Sequence, residues 1–344
     1  MGPSTRRALA TVRIFVIALS LLPLVSGSAR GHEAAEPVGQ SPSALDGILI
    51  LAHGGRAEWD AEVDRVAEAT RADAPTAVAF GMANRASMQN AVDQLIADGV
   101  DRITAVPLFV SSYSSVVRAT EYLLGVRAEP PPQLAIFARM SHGARAGEGA
   151  AHEADPDLGM TPVTSSVPIR MTAALNDHAI VGDILLSRAQ AVSTTPSAEA
   201  VILVAHGPSS DDDNQRWLAD MERLAPHLAP GGFSRVECLT VRDDAEGAVW
   251  DRAKAELRQR VEAAHSDELS PLVVPLVLSY GGIEEGIRER LEGLKYQMAP
   301  LGLLPDERIA EWVRAVVLER DWRGLLRRHT EQASRSSGDY WWVG

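Results

Sequence analysis

Two histidines, His53 and His206, are the residues whose type and placement in this sequence point most directly to chemistry. Each follows an uninterrupted apolar run and precedes a glycine, in GILILAHGG (residues 47–55) and AVILVAHGP (residues 200–208). An apolar run without polar alternation is typical of a strand buried on both faces of a parallel sheet. We therefore predict that each histidine lies at the carboxyl end of such a strand, where open α/β sheets bind ligands.

Imidazole at such a position indicates a metal ligand or a proton acceptor. A single histidine at a strand end is more often a hydrogen-bonded turn residue. Its repetition in the same register of two related segments favours a functional site, however. The glycine that follows each histidine allows backbone or ligand to approach closely.

The elements that must position the two histidines form the same series twice. Strand-like and helix-like patterns alternate as β-α-β-α-β-α-β-α in residues 46–195 and again in residues 196–328. With right-handed crossovers, this order predicts an α/β fold of two Rossmann-like, doubly wound, parallel-sheet halves related by duplication. A pseudo-twofold relation between the halves would turn both histidine ends towards one cleft.

Residues 126–166 interrupt the first half with proline-rich and glycine-rich sequence. We predict an insertion outside both cores, whose deletion leaves folding largely intact. His142 and His152, which lie near Asp155 and Asp157, are candidate metal ligands. A polar, glycine-rich loop most often carries such residues in solvent.

The first 29 residues have the order of a signal peptide, with Arg6-Arg7, an apolar stretch at residues 14–25 and small residues before position 30. We therefore expect an exported protein, periplasmic or secreted, with no membrane span after signal removal. An uncleaved N-terminal anchor is the alternative. Residues 30–45 are predicted to be a linker, and residues 329–344 a tail.

The composition bears on nucleic-acid binding and on disulfide bonds. The formal net charge of −13 argues against nucleic acid as a partner. The single cysteine, Cys238, excludes an internal disulfide.

Five segments together resemble the class II tetrapyrrole chelatases, in particular the sirohydrochlorin cobaltochelatase or ferrochelatase group. They are LAHGGR (residues 51–56), VPLFV (residues 106–110), TAALNDH (residues 172–178), VAHG (residues 204–207) and VPLVL (residues 274–278). The resemblance covers nearly the whole chain after the predicted signal peptide. It implies a lyase that inserts a divalent metal, Co²⁺ or Fe²⁺, into a metal-free tetrapyrrole such as sirohydrochlorin, as in cobalamin biosynthesis.

The resemblance also implies roles for particular residues. His53 and His206 match the family position that binds the metal, and an imidazole there can also accept a pyrrole proton. The partners are then the tetrapyrrole and the metal ion as substrate, with no organic cofactor. Arg56 and Arg85 are candidates for binding the tetrapyrrole's carboxylates, the alternative being that each is an exposed, solvated residue.

The sequence departs from the family pattern after two strands. The family's second histidine, expected after the Pro-Leu-Phe-Leu strand, is absent from SSYSS (residues 111–115) and YGGIE (residues 280–284). The family's acidic residue after the second strand is absent from residues 79–83. As substitutes we predict Glu284 as a third metal ligand and Tyr113, Gly281 and Gly282 as substrate-binding residues. The alternatives are that the tyrosine packs in a turn and that the glutamate is a first-turn helix acid.

Two other functions compete with the enzyme. One is a non-catalytic exported relative that carries a metal or a tetrapyrrole. The other is an exported two-domain α/β binding protein unrelated to tetrapyrroles. The His-Gly repeat favours the chelatase over the second of these.

Overall fold

The structure is a computed structural model, and it describes residues 45–143 and 158–318. The predicted signal peptide, residues 30–44 of the linker, the tail, His152, Asp155 and Asp157 lie outside the described residues. The side chain of His142 lies outside the described part as well.

The first half contains four strands and five helices within the described residues. In chain order they are β1 (Asp46–Ala52), α1 (Ala57–Arg71), β2 (Thr76–Phe80), α2 (Arg85–Ala97), β3 (Arg102–Pro107), α3 (Ser115–Leu123), α4 (Leu134–Gly143), β4 (Ile169–Met171) and α5 (Ala179–Gln190). A short 3-10 helix, Leu158–Met160, follows α4. His178 caps α5, because its Nδ1 accepts a hydrogen bond from the backbone N–H of Ile180 at 3.2 Å.

The second half repeats the strand and helix order without the α4 segment. It contains β5 (Glu199–Ala205), α6 (Asp211–Leu224), β6 (Arg235–Thr240), α7 (Ala248–Ser266), β7 (Ser270–Leu276), α8 (Ile283–Arg290), β8 (Gln297–Met298) and α9 (Arg308–Leu318). A 3-10 segment, Pro196–Ala198, precedes β5, and a second one, Ala225–Gly231, follows α6.

Each half has one four-stranded parallel sheet, and the two sheets have the same strand order. The first sheet runs β2-β1-β3-β4 and the second β6-β5-β7-β8. The central strands β1 and β5 are buried almost throughout, which explains their unbroken apolar sequences. The predicted α/β fold of two Rossmann-like parallel-sheet halves is confirmed.

The two halves share an apolar core. One buried cluster contains Ile50 of β1, Leu203 of β5, Ile184 of α5 and Trp312 of α9. Polar contacts also cross between the halves, since the Arg188 guanidinium donates to the carbonyl oxygens of Gly302 at 2.7 Å and Leu303 at 3.1 Å. Both sheets consequently belong to one compact unit.

The prediction that the insertion lies outside both cores is wrong for its described part. Leu134 and Phe137 of α4 are 3% and 7% exposed and belong to the same apolar cluster as Leu123 of α3. The backbone N–H of Val163 donates to the carbonyl of Leu123 at 2.8 Å. The reason is the sequence LAIFA at residues 134–138, whose apolar residues give α4 a buried face despite the surrounding glycines and prolines.

No helix in residues 45–143 or 158–318 is long and apolar enough to cross a membrane.

Candidate functional site

Both histidines lie where the sequence predicted, each one residue beyond the last residue of a central strand. His53 follows β1, and its exposed ring has Nδ1 2.7 Å from the carbonyl oxygen of Gly54. His206 follows β5, and its half-buried ring has Nε2 3.7 Å from Oδ1 of Asp244.

The glycine after each histidine is required by the neighbouring strand. Gly54 and Gly207 have φ angles of +77° and +70°, in the left-handed region that favours glycine. A Cβ atom at Gly207 would lie 2.4 Å from Cβ of Thr240 in β6. At Gly54 it would lie 3.3 Å from Cβ of Phe80 in β2. The glycine of each His-Gly pair is therefore explained by backbone geometry, independently of any chemistry of the histidine.

The carboxyl ends of the two sheets meet through contacts that are exchanged between the halves. On one side, Nη2 of Arg118 in α3 lies 2.7 Å from Oδ2 of Asp213 in α6. The guanidinium carbon of Arg216 lies 5.7 Å from the ring centroid of Tyr113 in the same region. On the other side, a Cβ atom at Gly281 would lie 3.6 Å from Cδ1 of Trp59 in α1.

In each of these contacts, the segment after the third strand of one half touches the start of the first helix of the other half. We call this region the common edge; it comprises residues 53–59, 108–118, 206–216 and 277–282. Because His53 and His206 lie in two of these segments, the common edge is the candidate site.

Tyr113 is half-buried within the common edge. The neighbouring loop is fixed, since the backbone N–H of Ser112 donates to Oδ1 of Asn176 at 2.7 Å and that of Tyr113 donates to Oγ of Ser111 at 3.1 Å. Burial raises the pKa of the Tyr113 hydroxyl, and the charge of Asp220 adds to the rise. Tyr113 is therefore a neutral phenol at neutral pH.

Asp220 of α6 is a buried carboxyl whose charge acts on Tyr113. Its Oδ1 accepts a hydrogen bond from Arg223, whereas Oδ2 is buried and has no hydrogen-bond partner among the described residues. Burial raises the pKa of Asp220 to about 7, against the opposing effect of Arg223 and with a further rise from Asp177. This carboxyl therefore changes charge near neutral pH.

Glu284 is a buried carboxylate that hydrogen-bonds to backbone groups of its own loop. Its side chain is 7% exposed, and Oε2 accepts hydrogen bonds from the backbone N–H groups of Gly281 at 3.1 Å and Gly282 at 3.0 Å. The carboxylate thus holds the loop that precedes α8, where Gly282 has a φ of +140°. Glu284 thus has a structural role in this loop, and its assignment as a metal ligand stays a prediction. Gly281 itself is exposed at the common edge.

The two predicted carboxylate-binding arginines differ in their surroundings. Arg85 begins α2 and donates to the carbonyl oxygens of Thr161 at 3.0 Å and Pro162 at 3.4 Å, so it fastens the insertion to the first half. Arg85 thus has a structural role, and its assignment as a substrate-binding residue stays a prediction. Arg56 is the N-cap residue of α1, beside His53. Its exposed guanidinium makes no hydrogen bond or ion pair with another described residue.

The predicted metal set of His53, His206 and Glu284 does not form one cluster. Among the described residues, no group of three or more His, Cys, Asp and Glu side chains is placed to hold a metal ion. A metal at the common edge would therefore need ligands from water or from a bound substrate in addition to imidazole.

The second half has an acidic residue after its second strand that the sequence analysis missed. β6 is followed by VRDDAE (residues 241–246), and Asp244 is the carboxylate beside His206. Its neighbour Asp243 pairs instead with the buried Arg290. The segment could have been found by examining the residues after the second strand in both halves, rather than residues 79–83 alone.

Residues 47–192 match the family model CbiX. The sirohydrochlorin cobaltochelatase of Methanothermobacter thermautotrophicus is 32% identical over 83 residues, which are 23% of this chain and 58% of that relative. The chain therefore matches little more than half the length of this curated relative.

Two solved structures of SirB resemble most of this chain. SirB from Bacillus subtilis with Fe³⁺ has a TM-score of 0.52 at 16% identity, over 81% of this chain and 98% of that one. The sirohydrochlorin chelatase SirB from Bacillus subtilis subspecies spizizenii in complex with cobalt has a TM-score of 0.49 at 16% identity, over 80% of this chain and 97% of that one. The first likeness shows a shared fold of two sheets. Residues 47–192 thus match the CbiX family, and the two halves together share the fold of SirB.

Proposed function

We propose that this protein is a metal chelatase that inserts a divalent metal, Co²⁺ or Fe²⁺, into a metal-free tetrapyrrole of the sirohydrochlorin type. The observation that carries the proposal is the placement of His53 and His206 at the carboxyl ends of the two central strands, on segments of one common edge. The match to the CbiX family model and the likeness to a sirohydrochlorin cobaltochelatase support the choice of reaction and substrate.

Metal insertion needs groups that accept protons as well as groups that hold the metal. A divalent metal replaces two pyrrole N–H protons, so that the charge of the macrocycle is balanced. A neutral imidazole can hold the incoming ion through one nitrogen, or take a proton once the ion has left it. Asp244, 3.7 Å from Nε2 of His206, would stabilise the imidazolium that results.

The first half would receive the acidic periphery of the substrate. Arg56 places an exposed guanidinium beside His53, and a guanidinium binds carboxylates through two parallel hydrogen bonds. Tyr113, a neutral phenol, offers a hydroxyl on the same edge. Among the described residues the common edge has no three-ligand metal set, so the tetrapyrrole nitrogens themselves would complete the metal's coordination during transfer.

The direct test is to mix the purified protein with sirohydrochlorin and Co²⁺ and follow the absorption spectrum of the macrocycle. We expect conversion much faster than in protein-free buffer, saturating with both substrates. Conversion no faster than in buffer, at any ratio of protein to substrate, would contradict the proposal.

One observation favours a second candidate, a non-catalytic carrier of a metal or tetrapyrrole. Neither the segment after β3 nor that after β7 contains the histidine that the family pattern would place there. A carrier would bind sirohydrochlorin or Co²⁺ stoichiometrically without accelerating metallation, so the same titration distinguishes the two functions.

We also propose that the chain acts outside the cytoplasm. The basic, apolar and small-residue order of residues 1–29 supports export.

A further inference from the structure

We propose that Trp59 is the aromatic surface against which the flat face of the macrocycle lies at the common edge, and that it sets the preference for a conjugated ring. This inference rests on the proposed function and adds the residue that would recognise the ring system itself.

Trp59 lies next to both the segment after β1 and the segment after β7. A Cβ atom at Gly55, two residues after His53, would lie 3.4 Å from Cγ of Trp59, and one at Gly281 would lie 3.6 Å from its Cδ1. The indole therefore sits between a loop of the first half and a loop of the second. At both contacts the neighbour is a glycine, which leaves the indole less covered than any other residue would.

The indole is anchored on one side and open on the other. It packs against the apolar core shared by the two halves, yet the residue is only partly buried. Its Nε1–H has no hydrogen-bond partner among the described residues. A fixed aromatic ring with an uncovered part is suited to stacking on a planar ligand, because little side-chain entropy is lost on binding.

The fold does not require a tryptophan at this position. Trp59 is the third residue of α1, and the third residue of α6 in the other half is Asp213, a 6% exposed carboxylate paired with Arg118. The contact that Asp213 makes with the first half therefore differs from the contact that Trp59 makes with the second half. One is a partly buried ion pair that joins the halves, and the other is an indole lying against glycine.

The other described tryptophans are occupied elsewhere. Trp217 and Trp312 are 7% and 1% exposed in the core. Trp250 of α7 is covered by the guanidinium of Arg290, 4.6 Å from its ring centroid, and lies near Lys254. In the described part of the chain, this leaves Trp59 as the tryptophan positioned for a ligand at the common edge.

The test measures the dissociation constant of metal-free sirohydrochlorin from its absorbance, together with kcat and KM for Co²⁺ insertion. Trp59→Phe should bind nearly as the wild type does, whereas Trp59→Ala should bind about tenfold more weakly, as expected for loss of one stacking contact. KM should rise with kcat little changed, because Trp59 touches the ring and not the metal. Trp250→Leu is the matched control and should keep wild-type affinity.

A second variant guards against loss of folding in Trp59→Ala. Gly281→Leu leaves the core untouched and covers the indole from the opposite loop, so it should also weaken macrocycle binding. Wild-type affinity in both Trp59→Ala and Gly281→Leu, with metallation intact, overturns the inference and leaves the proposed function standing. Loss of affinity in Trp250→Leu equal to that in Trp59→Ala overturns it as well. Absence of macrocycle binding by the wild-type protein overturns both proposals.

Discussion

His53 and His206 carry the proposed chemistry, and each lies one residue beyond a central parallel strand. Their strand-end placement was predictable from the unbroken apolar runs, which are typical of a central parallel strand. The hydrogen bonds that Glu284 and Arg85 make with backbone groups could not be predicted from the sequence. In the folded chain, Glu284 accepts hydrogen bonds from backbone N–H groups, and Arg85 donates hydrogen bonds to backbone carbonyl oxygens.

Asp220 gives a prediction at the residue scale. Its pKa is raised from 3.8 to about 7 in the folded protein, so the native state holds a proton that the unfolded chain releases between these values. The free energy of unfolding should therefore fall as pH rises through this window, as far as about pH 7. Asp220→Asn should remove this loss. The free energy of unfolding of Asp220→Asn, measured relative to that of the wild type, should therefore rise by roughly 1–3 kcal/mol from pH 5 to pH 8.

Urea unfolding at both pH values measures this gain. Asp64→Asn, at an exposed position of α1, is the matched control and should show no such change. An equal pH dependence in the wild type and Asp220→Asn would show that Asp220 ionises normally.

At the scale of elements, periodicity and strand order were informative, and composition was misleading. The repeated β-α order gave both sheets, whereas the glycines and prolines of residues 126–166 concealed a packed helix, α4. Composition averages over a segment, but burial depends on the spacing of a few apolar residues such as Leu134 and Phe137. The segment LAIFA contained the signal that would have corrected the prediction.

The packing of α4 leads to a matched pair of substitutions. Phe137 is 7% exposed and Ile136 is 48% exposed on the same helix. Phe137→Ala should lower the free energy of unfolding by about 3 kcal/mol, because it leaves a cavity in the core of the first half. Ile136→Ala should change it by less than about 0.5 kcal/mol. Chemical denaturation of both variants decides the point, and equal stabilities would place α4 outside the core after all.

At the scale of the whole molecule, the sequence indicated two halves but not that they share a core. That sharing depends on which helices lie between the sheets. The signal was present in α5, whose buried residues spread over nearly half of the helix circumference instead of one narrow stripe: Val181, Gly182, Ile184, Leu185 and Ala189. The joined core and the carbonyl contacts of Arg188 hold the halves in one arrangement. The common edge is therefore formed before substrate arrives.

Export is a prediction about the whole chain. The full-length protein should appear outside the cytoplasm with a new N-terminus near Arg30, because residues 1–29 have the order that a signal peptidase recognises. Cell fractionation with N-terminal sequencing measures this. Replacing Arg6 and Arg7 by glutamine should retain the chain inside the cell, and intact Met1 on wild-type protein from the cytoplasmic fraction would refute export.

The central claim is that His53 and His206 together carry metal insertion at the common edge, and the rate of Co²⁺ insertion into sirohydrochlorin tests it most directly. His53→Ala, His206→Ala and the double variant should be compared with the wild type and with His265→Ala, whose ring contacts the carbonyl of Lys295 at the far end of α7. We predict that the double variant inserts metal at least about 100-fold more slowly, with His265→Ala unchanged. Insertion by the double variant at the wild-type rate would contradict the account.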